Sequence, residues 1–208
     1  ELISTGTRYR WSFTGRLHQA PEAISSYYSD IKNAFLKYKK VRSRISWSCD
    51  TISFGKEQLA KLVLTTKTLY VYLALSPEEL EGTKYFFTDE SSTKKYEKVP
   101  VRIRVRSNRA MKHAFELIEK IAEAKELQLA KEFEAVDYAL PYENVQTLLE
   151  RQLIKKIEAK GTALSAEIDG DEEVAVDLED SAIEEKIAEE SISEEIAEEM
   201  KMPVENCL

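Results

Sequence analysis

The sequence has few of the residues from which cofactor and metal sites are usually built. Of its 208 residues, two are cysteine, two are histidine and six are glycine. Cys49 and Cys207 cannot form a disulfide framework, which favours a reducing, cytoplasmic setting. His18 and His113 belong to no Cys/His cluster with ligand spacing, so no metal site is predicted. The glycines form neither a phosphate-binding loop nor a dinucleotide fingerprint, so no cofactor is predicted.

Catalytic groups are equally scarce. The run from Ser46 to Asp50 contains nucleophile types but lacks the glycine-flanked turn of a nucleophile elbow. Alternation along a strand would place Trp47 and Cys49 together, which favours a packed cysteine over a reactive one. The longest apolar run, Leu69–Leu75, is far shorter than the roughly 20 residues of a membrane helix. No catalytic residue is therefore assigned, an enzyme ranks third among the function classes, and no membrane association is predicted.

What the sequence does have is a strong separation of charge. The net charge is −8, but residues 1–114 hold 21 Lys and Arg against 11 Asp and Glu, whereas residues 161–208 hold 2 against 17. This asymmetry predicts a basic α+β domain over residues 1–132 and a helical extension over residues 133–160. An acidic tail, flexible or helical, is predicted over residues 161–208.

The domain is organised around residues 59–106, where strand-like segments alternate between two kinds of side chain. One face is apolar and is predicted to meet the core: Leu62, Leu64, Leu69, Val71, Leu73, Leu75, Val101, Ile103 and Val105. The other face is polar and aromatic, and it supplies the candidate ligand-binding residues: Lys61, Tyr70, Tyr72, Arg102, Arg104 and Arg106.

Periodicity assigns the remaining elements. Strands are predicted around residues 9–17, over Ile45–Phe54, Leu59–Leu64 and Thr68–Leu75, and after Pro100; helices are predicted over residues 21–40 and from Ser107 or Asn108 to about Ala130. The fold class is therefore α+β, an antiparallel sheet of about five strands with two helices on one face. A short helix over Asn144–Lys160, a weak hairpin over Leu164–Leu178 and a glutamate-rich helix over Ser181–Met200 are predicted to follow.

Three segments resemble a known family in their strand and helix texture. Lys67–Leu75, Lys95–Arg106 and Ala114–Lys120 are similar to small bacterial domains grouped around YdhG, and the resemblance covers about residues 41–122. It implies a compact α+β sandwich and no established activity. In YdhG-like proteins a segment with Gly and Trp commonly precedes the last strand, whereas Thr93–Val99 occupies that place here.

The polar face suggests a binding function. Residues two apart on a strand lie about 6.6 Å apart on one face, so Arg102, Arg104 and Arg106 form a row. Tyr70 and Tyr72 flank that row if their strand is its neighbour. Arginines neutralise phosphate and aromatic rings stack on bases, so a polyanion or single-stranded nucleic acid is the first choice of ligand. The alternative is cross-strand Tyr–Arg packing on a solvated face, worth only about 0.2–1 kcal/mol per pair.

Arg8 and Arg10 are expected to extend the row from the first strand. The acidic tail offers a second class of function, because Ile183, Ile187, Ile192 and Ile196 give residues 181–200 an apolar stripe. Such a stripe suits a partner protein or the masking of the chain's own basic face. The alternative function is thus a structural adaptor that engages protein partners through residues 144–160 and 181–200.

Overall fold

The computed structural model describes residues 8–65 and 67–157, which form eight strands and five helices. In chain order these elements are β1 Arg8–Trp11, α1 Phe13–His18, α2 Glu22–Leu36, β2 Val41–Ile45, β3 Asp50–Phe54, β4 Glu57–Leu64, β5 Leu69–Leu73, α3 Pro77–Leu80, β6 Thr88–Asp89, β7 Val101–Val105, α4 Asn108–Ala124, α5 Val145–Glu150 and β8 Ile154–Ile157.

The central element is a six-stranded antiparallel sheet in the order β2-β3-β4-β5-β7-β6. Helices α2 and α4 contribute their apolar stripes to the same core as one face of this sheet. The nine strand residues predicted to face the core all belong to that core, so the predicted α+β class is confirmed. In the register, Leu62 pairs with Val71 and Val71 with Ile103, which places residues of like parity on one face.

Both long helices are shorter than predicted at their C-terminal ends. Helix α4 begins as expected, because the Ser107 side chain accepts a hydrogen bond from the Ala110 N–H, but it ends at Ala124. Helix α2 ends at Leu36 rather than near residue 40. Lys40 adopts a φ of 64°, which the helix does not allow, and turns the chain into β2.

The predicted first strand is wrong in extent and in place. Strand β1 pairs antiparallel with β8 in a separate two-stranded sheet, not with the main sheet. The chain then turns into α1, whose first turn is capped by the Ser12 side chain accepting from the Gly15 N–H at 3.0 Å. Arg8 and Arg10 therefore do not extend the row of arginines on the main sheet.

The segment predicted as one strand over Ile45–Phe54 is a hairpin. Strands β2 and β3 pair antiparallel, with Ile45 opposite Asp50. The turn between them is closed by the Ser46 N–H, which donates to the Cys49 carbonyl oxygen at 2.8 Å. Trp47 and Cys49 therefore belong to a tight turn rather than to one side of a strand, and the Cys49 side chain is buried.

The predicted helix over Asn144–Lys160 also divides in two. Asn144 caps α5, but the helix ends at Glu150, where Gln152 with a φ of 57° reverses the chain into β8. The pairing of β8 with β1 stabilises that change. The predicted hairpin at 164–178 and helix at 181–200 lie outside the described residues. Among the described helices, none combines the length and apolar character that a membrane crossing requires.

An ion pair is buried between α2 and the main sheet. Lys32 Nζ lies 2.9 Å from Asp50 Oδ2. The Tyr28 hydroxyl donates to the same oxygen at 2.8 Å, and the Ser43 hydroxyl donates to Asp50 Oδ1 at 2.6 Å. Burial, followed by the Asp50 charge, raises the pKa of Tyr28, so its hydroxyl remains a donor.

Residues 136–138, which form neither helix nor strand, lie along α2 and cover this ion pair. Asn33 exchanges two hydrogen bonds with the backbone of Val136, and the Ser29 hydroxyl accepts from the Tyr138 N–H at 2.9 Å. The Tyr138 ring then lies over Lys32, with its centroid 4.4 Å from Nζ. The segment is thus fixed to the helix by side chains of α2, and it closes the core over a buried charge.

Candidate anion-binding face

The candidate binding residues lie on the side of the main sheet that faces away from α2 and α4. Lys61 pairs with Tyr72, and Tyr72 pairs with Arg102, which forms one cross-strand row. In the next row Val63 pairs with Tyr70, and Tyr70 with Arg104. Tyr70 and Tyr72 therefore lie directly beside Arg104 and Arg102 on the neighbouring strand, as predicted.

Arg106 lies just beyond the end of β7 and is exposed. Its Nε donates to the Thr68 hydroxyl at 2.5 Å, which fixes it at the end of β5. All six predicted residues thus share one region of the molecule, although Arg106 is at its margin.

The tyrosines do not present free rings. Tyr72 is 1% exposed, and Tyr96 stacks on it with ring centroids 3.9 Å apart and planes 7° apart. The loop between β6 and β7 folds back over the sheet and delivers Tyr96 to that place. Burial raises the pKa of both hydroxyls, so both stay neutral. Tyr70 is covered instead by the guanidinium groups of Arg102 and Arg104, 5.5 and 6.0 Å from its ring centroid.

Tyr70 and Tyr72 were expected to stack on bases, but neither ring is exposed enough to do so. What the face presents to solvent is charge. The rings are covered because burying two large aromatic side chains lowers the free energy of the folded chain more than leaving them in water does.

Two arginines that the sequence reading missed extend the face. Arg44 pairs with Thr51, and Thr51 pairs with Lys61, so Arg44 stands in the same row as Lys61 and Arg102. Arg42 follows two residues earlier on the same side, and both side chains are exposed. A signal was available: Val41–Ile45 reads Val-Arg-Ser-Arg-Ile, the same alternation as Val-Arg-Ile-Arg-Val in β7. We call Arg42, Arg44, Lys61, Arg102 and Arg104 the basic face.

Lys61 occupies the middle of the basic face in a partly buried position. Its Nζ donates to the Lys95 carbonyl oxygen at 2.6 Å and lies 5.4 Å from the Tyr96 ring centroid. Burial is the main cause that lowers the pKa of Lys61 below its usual 10.5, and the charges of Lys95 and Lys98 lower it further. A phosphate at this place would remove some of that repulsion.

The Glu90 carboxylate contacts the basic face directly. Its Oε1 lies 2.9 Å from Arg102 Nη1, in a pair that is largely shielded from water. The pair positions the guanidinium group of Arg102 against Tyr70. Arg42 and Arg44 lie on the same face but at its other edge, on β2.

A cleft of about 190 Å³ opens beside β7, at the other end of the basic face. Strand β6 pairs only with Val101 and Arg102, so β7 has an uncovered edge from Ile103 onward within the described chain. The lining residues come from β7, from the start of α4 and from the segment before β6: Tyr85, Phe86, Ile103, Arg104, Ser107, Arg109, Ala110, His113 and Leu117.

The wall of the cleft is fixed by contacts to α4. The Tyr85 hydroxyl donates to Glu116 at 2.8 Å, and Lys84 pairs with the same carboxylate oxygen at 2.8 Å. Tyr85 also meets His113 edge to face, with ring centroids 5.5 Å apart. Hydrogen bonds from Lys84 and Tyr85 lower the pKa of Glu116, so the carboxylate is ionised and already bound to these two partners.

The other chemically distinctive side chains form no open site. His18 is 4% exposed, and its Nδ1 lies 2.7 Å from the Pro141 carbonyl oxygen. Cys49 is buried against Tyr72 and Tyr96, and Asp50 belongs to the buried ion pair. In the part of the chain that the structure describes, no group of three or more His, Cys, Asp or Glu side chains is arranged to hold a metal ion.

Comparisons with protein-family models, with curated proteins and with solved structures return no match for this chain. The resemblance to YdhG-like domains stays a prediction.

Proposed function

We propose that this chain is a binding protein that holds a single strand of nucleic acid on its basic face, through the phosphates. The observation that carries the proposal is the row formed by Arg44, Lys61 and Arg102 across the paired strands. The row crosses four inter-strand steps of about 4.8 Å each, so it spans about 19 Å. Arg42 and Arg104 widen it on either side.

The burial of Tyr70 and Tyr72 leaves contact with the phosphates, and not base stacking, as the mode of binding on this face. With Tyr72 covered by Tyr96, this face has no aromatic surface for bases, so affinity here rests on charge and is independent of base identity. Each phosphate neutralised on a single strand contributes about −0.7 to the slope of log affinity against log salt. If each of the five cations on the basic face met one phosphate, the slope would be about −3.5. The Arg102–Glu90 pair makes that value the steepest slope expected.

The test is a fluorescence anisotropy titration of a labelled oligothymidylate at several salt concentrations. The double variant Arg42→Gln/Arg44→Gln removes two exposed cations from the basic face and is expected to reduce the slope by about 1.4. The matched control is Lys112→Gln/Lys125→Gln, which removes the same formal charge from α4 and its C-terminal cap, on the other face of the sheet. Lys125 there forms an exposed ion pair with Glu57. Its slope is expected to equal that of the unmodified chain.

Two results would contradict the proposal. One is the absence of binding at low salt. The other is an equal loss of affinity in both double variants, because that would attribute binding to net charge rather than to the basic face.

A further inference from the structure

We infer that the cleft beside β7 binds one nucleotide of the strand, with its phosphate between Arg104 and Arg109 and its base against Phe86. The inference rests on the proposed function and adds to it a site where a base is contacted. It would make the cleft the place where the protein meets the aromatic part of its ligand.

The charge of the cleft suits a phosphate. Arg104 reaches it from β7, while Arg109 and His113 reach it from successive turns of α4. None of the described residues that line the cleft is acidic. The nearby carboxylate of Glu116 is held by Lys84 and Tyr85. Two guanidinium groups from different elements provide the planar, multidentate donors that phosphate oxygens accept.

The apolar side of the cleft suits a base. Phe86 is 85% exposed, whereas the neighbouring Tyr85 and Phe87 are packed against the core. The floor below is formed by Ile103 and Leu117, which are buried. An exposed phenylalanine beside two arginines is the combination that single-strand binding proteins use, since every base has a face that can stack.

Arg104 connects the cleft with the basic face. It covers Tyr70 on the sheet, and it also lines the cleft at the uncovered edge of β7. A strand that follows the row from Arg44 to Arg102 passes over the loop that carries Tyr96, between Lys61 and Arg102. Arg104 is then the next cation on the way to the cleft. The cleft would accept the nucleotide at which the strand leaves the sheet.

The experiment uses the full-length chain and two labelled strands of equal length, an oligothymidylate and an abasic analogue. Phe86→Ala is expected to weaken oligothymidylate binding about tenfold with an unchanged salt slope, because stacking releases no counterions. Phe86→Trp should retain the affinity. The abasic strand should bind the unmodified chain about as weakly as Phe86→Ala binds the oligothymidylate, and Phe86→Ala should not weaken it further.

Arg109→Gln tests the phosphate contact. It is expected to reduce the salt slope by about 0.7, while Lys112→Gln, which removes an exposed cation of α4 outside the cleft, leaves it unchanged. Phe86 and Arg109 are both exposed, so the variants should keep the melting temperature of the unmodified chain.

The outcomes separate the two proposals. If Phe86→Ala and Arg109→Gln bind like the unmodified chain while Arg42→Gln/Arg44→Gln lowers the slope, the cleft has no role and the basic face stands. Equal affinity for the abasic strand and the oligothymidylate would also overturn the cleft assignment. Absence of binding by the unmodified chain at low salt overturns both.

Discussion

Replacing either partner of the buried Lys32–Asp50 pair is expected to destabilise the protein severely. The two side chains are 6% and 0% exposed, so water cannot compensate the charge that is left behind. Removing one partner of a buried pair costs about 3–5 kcal/mol. For a domain of this size, that corresponds to a fall in melting temperature of roughly 6–20 °C.

The two single variants should differ in how the remaining charge is accommodated. Lys32→Met leaves Asp50 with hydrogen bonds from Tyr28 and Ser43, so its cost should lie near the lower limit. Asp50→Asn leaves the Lys32 ammonium group with the Tyr28 hydroxyl oxygen and the Tyr138 ring. Its cost should lie near the upper limit, because neither partner carries a negative charge.

The double variant Lys32→Met/Asp50→Asn removes both charges. The amide oxygen keeps an acceptor for one of the two hydroxyls, Tyr28 or Ser43, and the other hydroxyl turns to accept from the amide N–H. We expect it to be more stable than either single variant, because no uncompensated charge remains in the core. Urea unfolding followed by circular dichroism measures all four free energies of unfolding. The reasoning would be refuted if the loss of stability in the double variant equalled the sum of the two single losses, because residues in contact deviate from additivity. It would also be refuted if either single variant stayed within about 1 kcal/mol of the unmodified chain.

Two further outcomes follow from the geometry. Affinity for the oligothymidylate should fall as pH rises through the lowered pKa of Lys61, because only the protonated amine pairs with phosphate; Lys61→Arg, whose charge persists throughout that titration, should reduce the fall in the same anisotropy assay. Gly15→Ala should lower the free energy of unfolding by about 1–3 kcal/mol in urea, because a methyl group there would lie 2.9 Å from the Leu153 carbonyl oxygen; an unchanged stability would mean that β8 shifts at no cost.

The two faces of the main sheet were predictable because the alternation is regular on the neighbouring strands β5 and β7. Leu69, Val71 and Leu73 share a parity with Val101 and Ile103, and only one arrangement buries all of them. The hairpin of β2 and β3 was missed because its turn contains neither glycine nor proline. Without that signal, the predicted helix ended at residue 40 and the predicted strand began at Ile45, so Arg42 and Arg44 were assigned to no element.

The environment of the tyrosines depends on a contact that no local pattern reveals. Tyr96 belongs to an irregular loop, and its stacking on Tyr72 is decided by how that loop returns to β7. The cleft was not predicted, although Arg109 and His113 are four residues apart on a predicted helix and so lie on one side of it. The exposure of Phe86 was not visible, since tertiary contacts decide which rings of the run Tyr85-Phe86-Phe87 pack and which one protrudes.

The pairing of β1 with β8 has a consequence for the order in which the protein is made. Arg8 lies opposite Ile157, so β1, the first described strand, has no partner until β8, the last one, has been synthesised. At a synthesis rate of about 5–20 residues per second, that wait lasts roughly 7–30 s. The six-stranded sheet, whose strands lie between residues 41 and 105, has all of its chain long before then. During this interval the edge of β1 is open to other chains, and a ribosome stalled before residue 154 would leave it open for as long as the stall lasts.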